Sequence, residues 1–317
     1  MSLALCLLFL VFTGYALAGS ADKYPERSIK LVVPYGAGGG TDTLTRGVLK
    51  YFDPGQPVVV VNMSGASGSI GTMEVYNARP DGYTLLCQAP HSMLAFNLSG
   101  TLPAPAWKDM EPLATMVLDA NVVSVPKSSP FQTIEDLQEF AKKNPGKLKW
   151  ASVGSGGTNH IASSIIWESM GVKVTYVPFA SASKSRTATL GGHVDCLLSQ
   201  VSEVKNLVDS GDMRALAVAT KNRSKFFPNV PTFWEKGIEV DTALYRSFWA
   251  PPKTPKAIVE KLEKAFAETS KNPDYLNLIE KDLNYQAVFM GNKETHEMVM
   301  KDHPKFEKLV KELKSKK

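Results

Sequence analysis

Short apolar runs alternate along this chain with stretches in which apolar residues recur every three or four positions. These are the signatures of strands and of amphipathic helices. "SIKLVVPY", "QPVVVVNM" and "PDGYTLLCQ" predict three strands. "TDTLTRGVLKYF", opening at Thr41 or Asp42, and "TMEVYNARP" predict the helices between them. "QPVVVVNM" is apolar almost throughout, as suits a strand covered on both faces. A β-α-β-α-β order of this kind predicts a parallel sheet with helices on both sides.

A second series begins after "NVVSVPKSSP". "TIEDLQEFAKKNPGK" predicts a helix with Thr133 as N-cap, Asp136 completing a capping box and Pro145-Gly146 as the stop. "LKWASVG", "KVTYVPF", "VDCLLSQ" and "MRALAVAT" predict strands, with "HIASSIIWESMG" and "SASKSRTATLGG" helical between them. "KAIVEKLEKAFAETS" and "PKFEKLVKELKSKK" predict C-terminal helices that return to the first unit. The fold class is therefore α/β, with doubly wound sheets in two lobes. We expect residues 19–122 with 247–317 to form the first lobe, and 123–246 the second.

The N-terminus lies outside this pattern. "LALCLLFLVFTGYALA" is apolar and ends in Ala16-Leu17-Ala18, a small-x-small cleavage pattern. Residues 1–18 are expected to be a signal peptide cleaved near Ala18, leaving an exported, periplasmic chain. Cys87 and Cys196 lie in apolar strand-like runs without metal-ligand spacing, and are expected as buried free thiols. The formal charge of +5 is small for 317 residues, and much of it sits in the lysine-rich C-terminus. No aromatic residues interleave with those lysines, so nucleic acid is not an expected partner.

Chemistry is expected where strands end and helices begin. Three such places are rich in glycine and hydroxyls: Tyr35–Asp42, Ser64–Gly71 and Val153–His160. Unpaired amides in the first turn of a helix carry partial positive charge and hold carboxylate or phosphate. Ser64, Ser67, Ser69, Ser155 and Thr158 add hydroxyl donors, while Lys and Arg are absent from all three loops. A small anion held by amides and hydroxyls is the expected occupant. None of the loops carries the dinucleotide fingerprint or a phosphate-loop lysine. No pair of histidines has the helical zinc spacing, and Gly154-Ser155-Gly156 lacks the nucleophile-elbow pattern. No cofactor, metal or catalytic residue is expected.

The ordered set "YPERSIKLVVPYGAGGGTDTLTR", "VVVVNMSGASGSIG", "RPDGYTLL", "GSGGTNHIA", "VPFASAS", "LGGHVDCLLS", "RALAVAT" with "PNVPTFWEKG", and "SFWAPPKTPKAIVEKL" spans nearly the whole mature chain. It resembles the Bug-type periplasmic binding proteins, the substrate-binding receptors of tripartite tricarboxylate transporters. The resemblance implies a two-lobe, Venus-flytrap receptor of the periplasmic-binding-protein type (type II-like). It would close on one small carboxylate, a di- or tricarboxylate or an aromatic acid. The implied partner is a membrane permease with one large and one small multi-span subunit, and the receptor itself is expected as a monomer. Carried over by position, the proximal grip falls on Tyr35, Ala37, Gly38, Gly39, Thr41 and Asp42, with Ser64, Gly65, Ala66 and Ser67. The distal side falls on Gly156, Thr158, Asn159, Phe179, Ser181 and Asp195. Asp42 reads equally as a first-turn acid on the helix dipole, and Asp195 as the cap of a strand turn.

Three positions depart from the pattern. The family commonly has Arg-Pro at Met63-Ser64, glycine at Ser67, and Tyr-Lys-Gly at Phe179-Ala180-Ser181. The alternatives from other classes are a secreted enzyme acting on a carboxylated substrate and a sensor receptor for a two-component kinase.

Overall fold

The computed structural model describes residues 23–153 and 158–315, so the expected signal peptide and the expected contacts at Ser155 and Gly156 lie outside the described residues. The strands are β1 (Ile29–Val33), β2 (Val58–Asn62), β3 (Thr84–Gln88), β4 (Glu111–Asp119), β5 (Asn121–Pro126), β6 (Lys149–Val153), β7 (Thr175–Phe179), β8 (Cys196–Gln200), β9 (Met213–Val218), β10 (Leu244–Ala250) and β11 (Gln286–Met290). They form two sheets, ordered β11-β4-β10-β3-β1-β2 and β7-β6-β8-β5-β9.

The two-lobed α/β architecture stands, but the sheets are mixed. β1 runs parallel to β2 and β3, as the alternation predicts. β10 runs antiparallel to both β3 and β4, and β5 antiparallel to both β8 and β9. The reason is the path of the chain. It leaves the first sheet at Asp119 and enters the second at Asn121, then returns to the first at Leu244. A strand that re-enters a sheet from its neighbour starts where the parallel strands finish, and must run against them.

The Thr133 capping box is present, with the Thr133 side chain accepting from the Asp136 amide and the Asp136 carboxylate accepting from the Thr133 amide at 2.9 Å. The helix Gly40–Leu49 starts one residue before the predicted Thr41, with Gly39 as its N-cap. Helix Pro90–Ser99 has no amphipathic signature, because Pro90 to Phe96 are all buried. Such a helix buries every side and shows no 3.6-residue period.

Each lobe has its own apolar centre. In the first, Phe266 of helix Lys256–Thr269 stacks on Phe248 of β10 with ring centroids 4.6 Å apart. The second is built around Trp150, Trp167 and Leu198. A further cluster is shared: Ile161 of helix Thr158–Ser169 packs with Val299 and Phe306 of helix Asn292–Ser315. Burying a side chain such as Ile161 is worth about 1.5–3 kcal/mol. Cys87 and Cys196 are buried and unbridged.

Candidate ligand site

Register brings the loops together. Val33 of β1 pairs with Asn62 of β2, so the residues that follow, Tyr35 and Ser64, emerge side by side. β3 ends level with them at Gln88. In the second lobe Val153 pairs with Phe179, and β8 ends at Gln200. The carboxyl ends of the parallel strands from both lobes therefore meet at one seam, where open α/β sheets bind ligands.

The first loop is drawn inward by Asp42. Its carboxylate, almost wholly buried, accepts from the Gly38 amide at 2.8 Å, from Arg46 Nε at 3.1 Å and from Asn62 Nδ2 at 2.9 Å. Asn62 Nδ2 also donates to the Tyr35 carbonyl at 3.1 Å. The Arg46 hydrogen bond is the largest influence holding the Asp42 pKa down at about 2, with the Gly38 and Asn62 bonds adding to it against the cost of burial. Asp42 thus acts as a latch on the loop, and it occupies the Gly38 amide. No side chain caps the helix that follows, so its first-turn amides keep their partial positive charge.

The second loop is held in an unusual backbone. Ala66, Ser67 and Gly68 take successive φ values of 43°, 56° and 96°. For the two non-glycine residues this left-handed conformation costs about 1–2 kcal/mol each. Ser67, where the family commonly has glycine, stands on one of these positions. Glycine suits position 68: its φ is in the left-handed region, and a Cβ there would sit tightly, 3.1 Å from Gln88 Nε2 and 3.2 Å from the Tyr35 ring. Ser64, Ala66 and Ser67 are exposed at the seam.

The second lobe arrives through Thr158, the first residue of helix Thr158–Ser169. Its hydroxyl donates to Ser92 Oγ of the first lobe at 2.7 Å. On the first-lobe side the Tyr35 hydroxyl donates to Gln88 Oε1 at 3.0 Å. The Thr158–Ser92 bond thus links the lobes across the seam. Asn159 accepts from Gln200 Nε2 at 3.0 Å, and Gln200 donates to Asn121 at 2.8 Å, which ties Asn159 to the first crossing strand. Phe179 is half-buried against its own lobe's core. Ser181 caps helix Ala182–Leu190 by accepting from the Lys184 amide.

One expectation needs correction. Asp195 is not at the seam: it precedes β8, accepts from the Lys149 amide at 2.7 Å, and so sits at the amino ends of β6 and β8. Five-residue strands put it about 13 Å from the seam at about 3.3 Å per residue. The three loops themselves hold no Lys or Arg, but one basic side chain stands beside the first of them. Arg246, on β10, lies with Nη2 4.0 Å from where a Cβ on Gly40 would stand. Its charge reaches Tyr35, Asp119 and Glu203. Sequence reading does not single out Gln88, Ser92 or Arg246. The available signal was a lone amide ending the apolar "YTLLCQ", and a lone cation inside the apolar "ALYRSFWA".

Beside Arg246 the chain buries acids. Asp119 accepts from the Ser202 amide at 3.1 Å and hydroxyl at 2.5 Å. Burial pushes its pKa up to about 7, with Glu203 adding to the rise while Ser202 and Arg246 oppose it. Across the seam Lys225 of the second lobe pairs with Glu280 of the first. Among the described residues no group of His, Cys, Asp and Glu could hold a metal ion.

Comparison with known proteins agrees with this arrangement. Residues 45–314 match the family described as "Tripartite tricarboxylate transporter family receptor". The UPF0065 protein in the gbd 5′ region of Cupriavidus necator is 33% identical over 298 residues, covering 91% of this chain and 89% of that relative. A ligand-free TctC solute-binding protein from Polaromonas superposes with a TM-score of 0.81 at 29% identity, covering 92% of this chain and 100% of the other. A protein of R. palustris solved with adipate superposes with a TM-score of 0.77 at 27% identity, covering 91% of this chain and 98% of the other.

Proposed function

Because this chain belongs to the tripartite tricarboxylate transporter receptor family, extracytoplasmic solute-binding proteins that serve a membrane permease rather than enzymes, we propose that it traps one small carboxylate between its lobes. A di- or tricarboxylate or an aromatic acid is the class we favour, in keeping with the adipate held by the R. palustris protein. The observation that carries the reading is the meeting of both sets of strand ends at the Thr158–Ser92 bond. In this reading the amides and hydroxyls of Tyr35–Thr41 and Ser64–Ser67 receive the acid's charged end. Thr158, Asn159, Phe179 and Ser181 close over the other, with Gly156 joining them.

Closure follows from differential contact. A ligand touching both lobes favours the closed state by the free energy of the contacts it makes only there. The two crossings, at Ala120 between β4 and β5 and just before Leu244 of β10, act as the hinge. The mature receptor, released by cleavage near Ala18, is a monomer that docks on a permease of one large and one small multi-span subunit.

A thermal-shift screen of residues 19–317 against a carboxylate library tests the reading. We expect one acid class to raise the melting temperature in a saturable way, with the acid recovered unchanged. A library in which no acid stabilises the protein, or in which the acid is converted, would overturn it.

A further inference from the structure

Two donors near the first-lobe loops have no acceptor. Gln88 is fully buried, and its Oε1 accepts from the Ala89 amide at 2.9 Å as well as from Tyr35. A backbone N–H can only donate, which fixes the orientation of the Gln88 amide. Nε2 is left buried, without a partner, and turned to Gly68 of the second loop. Arg246 Nε is likewise buried with no acceptor, and among the described residues the guanidinium makes no ion pair. Of its acidic neighbours, Asp119 accepts from Ser202, and Glu203 stands 4.0 Å from Arg186 with Oε2 buried and without a hydrogen-bond partner. Both donors stand beside the first-lobe loops, Gln88 Nε2 at Gly68 and Arg246 Nη2 at Gly40. Gln88 bonds the Tyr35 hydroxyl, and Arg246 reaches it with its charge.

An amide donor and part of a guanidinium left without acceptors in a folded protein are costly. That cost is offset when an acceptor arrives with the ligand. Arg246 stands on the strand that returns from the second lobe, directly before Ser247, which pairs with Gln88. Its guanidinium lies against the first turn of helix Gly40–Leu49, where the helix dipole already favours an anion.

We propose that Arg246 is the cation that pairs with the ligand's carboxylate, and that Gln88 Nε2 donates to the same ligand beside the second loop. The inference rests on the receptor reading given above. It makes a side-chain fork, rather than backbone amides alone, the source of charge selection, and sets that fork on a hinge-crossing strand.

The test is isothermal titration of the mature protein with succinate, malate and adipate, comparing wild type with Arg246→Gln, Arg246→Lys and Gln88→Glu. A charge-assisted hydrogen bond lost from such a site weakens binding about 10- to 100-fold. We expect that loss in Arg246→Gln, and a loss of about 10-fold in Arg246→Lys, which keeps the charge without the planar fork. Gln88→Glu keeps the acceptor for Tyr35 and Ala89 but replaces the donor with a negative charge, and should weaken binding at least as much. Arg27→Gln, at an exposed arginine bonded to Asp81, should bind as wild type does. If Arg246→Gln does not fold, Arg246→Lys carries the test. Wild-type affinity in the Arg246 and Gln88 variants, beside a wild type that binds, overturns this inference alone. A wild type that binds none of these acids, nor any in the wider library, overturns the receptor reading and this inference with it.

Discussion

Replacing Asp42 with asparagine isolates the charge of the latch, since the side chains have the same shape. The drop in its pKa from an ordinary 3.8 to about 2 corresponds to roughly 2 kcal/mol of stability at neutral pH. Arg46, the main cause, has a side chain 51% exposed, and solvent screening reduces the expected loss to about 1–2 kcal/mol. The folded-state pKa lies below the unfolded one, so the contribution is full above about pH 5 and fades as pH falls through about 4 to 2. The assay is urea unfolding of wild type and Asp42→Asn from pH 7 to pH 2.5, in 200 mM salt to suppress long-range effects. The stability gap should be about 1–2 kcal/mol at pH 7 and close towards pH 2.5. A gap that stays constant with pH, or is absent at pH 7, refutes the latch. A gap that widens on acidification would show that the carboxylate is held against its preference.

Two further outcomes follow from the same geometry. Asp119, with its pKa raised to about 7, binds its proton more tightly in the folded state, so its contribution falls as pH rises from about 4 to about 7. Asp119→Asn should flatten that part of the stability profile in calorimetry, and an unchanged slope would count against a raised pKa. Gly71→Ala would place a Cβ 2.8 Å from the Met63 carbonyl and 2.9 Å from Pro34 Cα. Overpacking against backbone should cost about 1–3 kcal/mol in urea unfolding, and a neutral result would mean that helix Ser69–Tyr76 can move away from β1.

Much of the fold was legible because its signals are local. Apolar alternation marks β1 to β3, the Thr133–Asp136 box marks a helix start, and glycine with hydroxyls marks the loops where strands hand over to helices. The fully buried helix Pro90–Ser99 carries no period, and nothing local marks it. The site was less legible for the same reason. That Tyr35, Ser64 and Thr158 share a seam follows from strand order and register, which no short window contains.

By itself, then, the sequence determined the two α/β series, the glycine loops at strand ends and the free thiols, because each depends on residues a few positions apart. Only the tertiary structure decided that β10 runs against β3, that Asp42 turns inward to Gly38 and Arg46, and that Asp195 lies at the far end of its sheet. It also brought Arg246 and Gln88 to the loops from positions 158 residues apart, through pairing of β3 with β10. The physical reason is that a side chain's direction and partners are set by which strands are neighbours, and strand neighbours are chosen by packing across the whole chain.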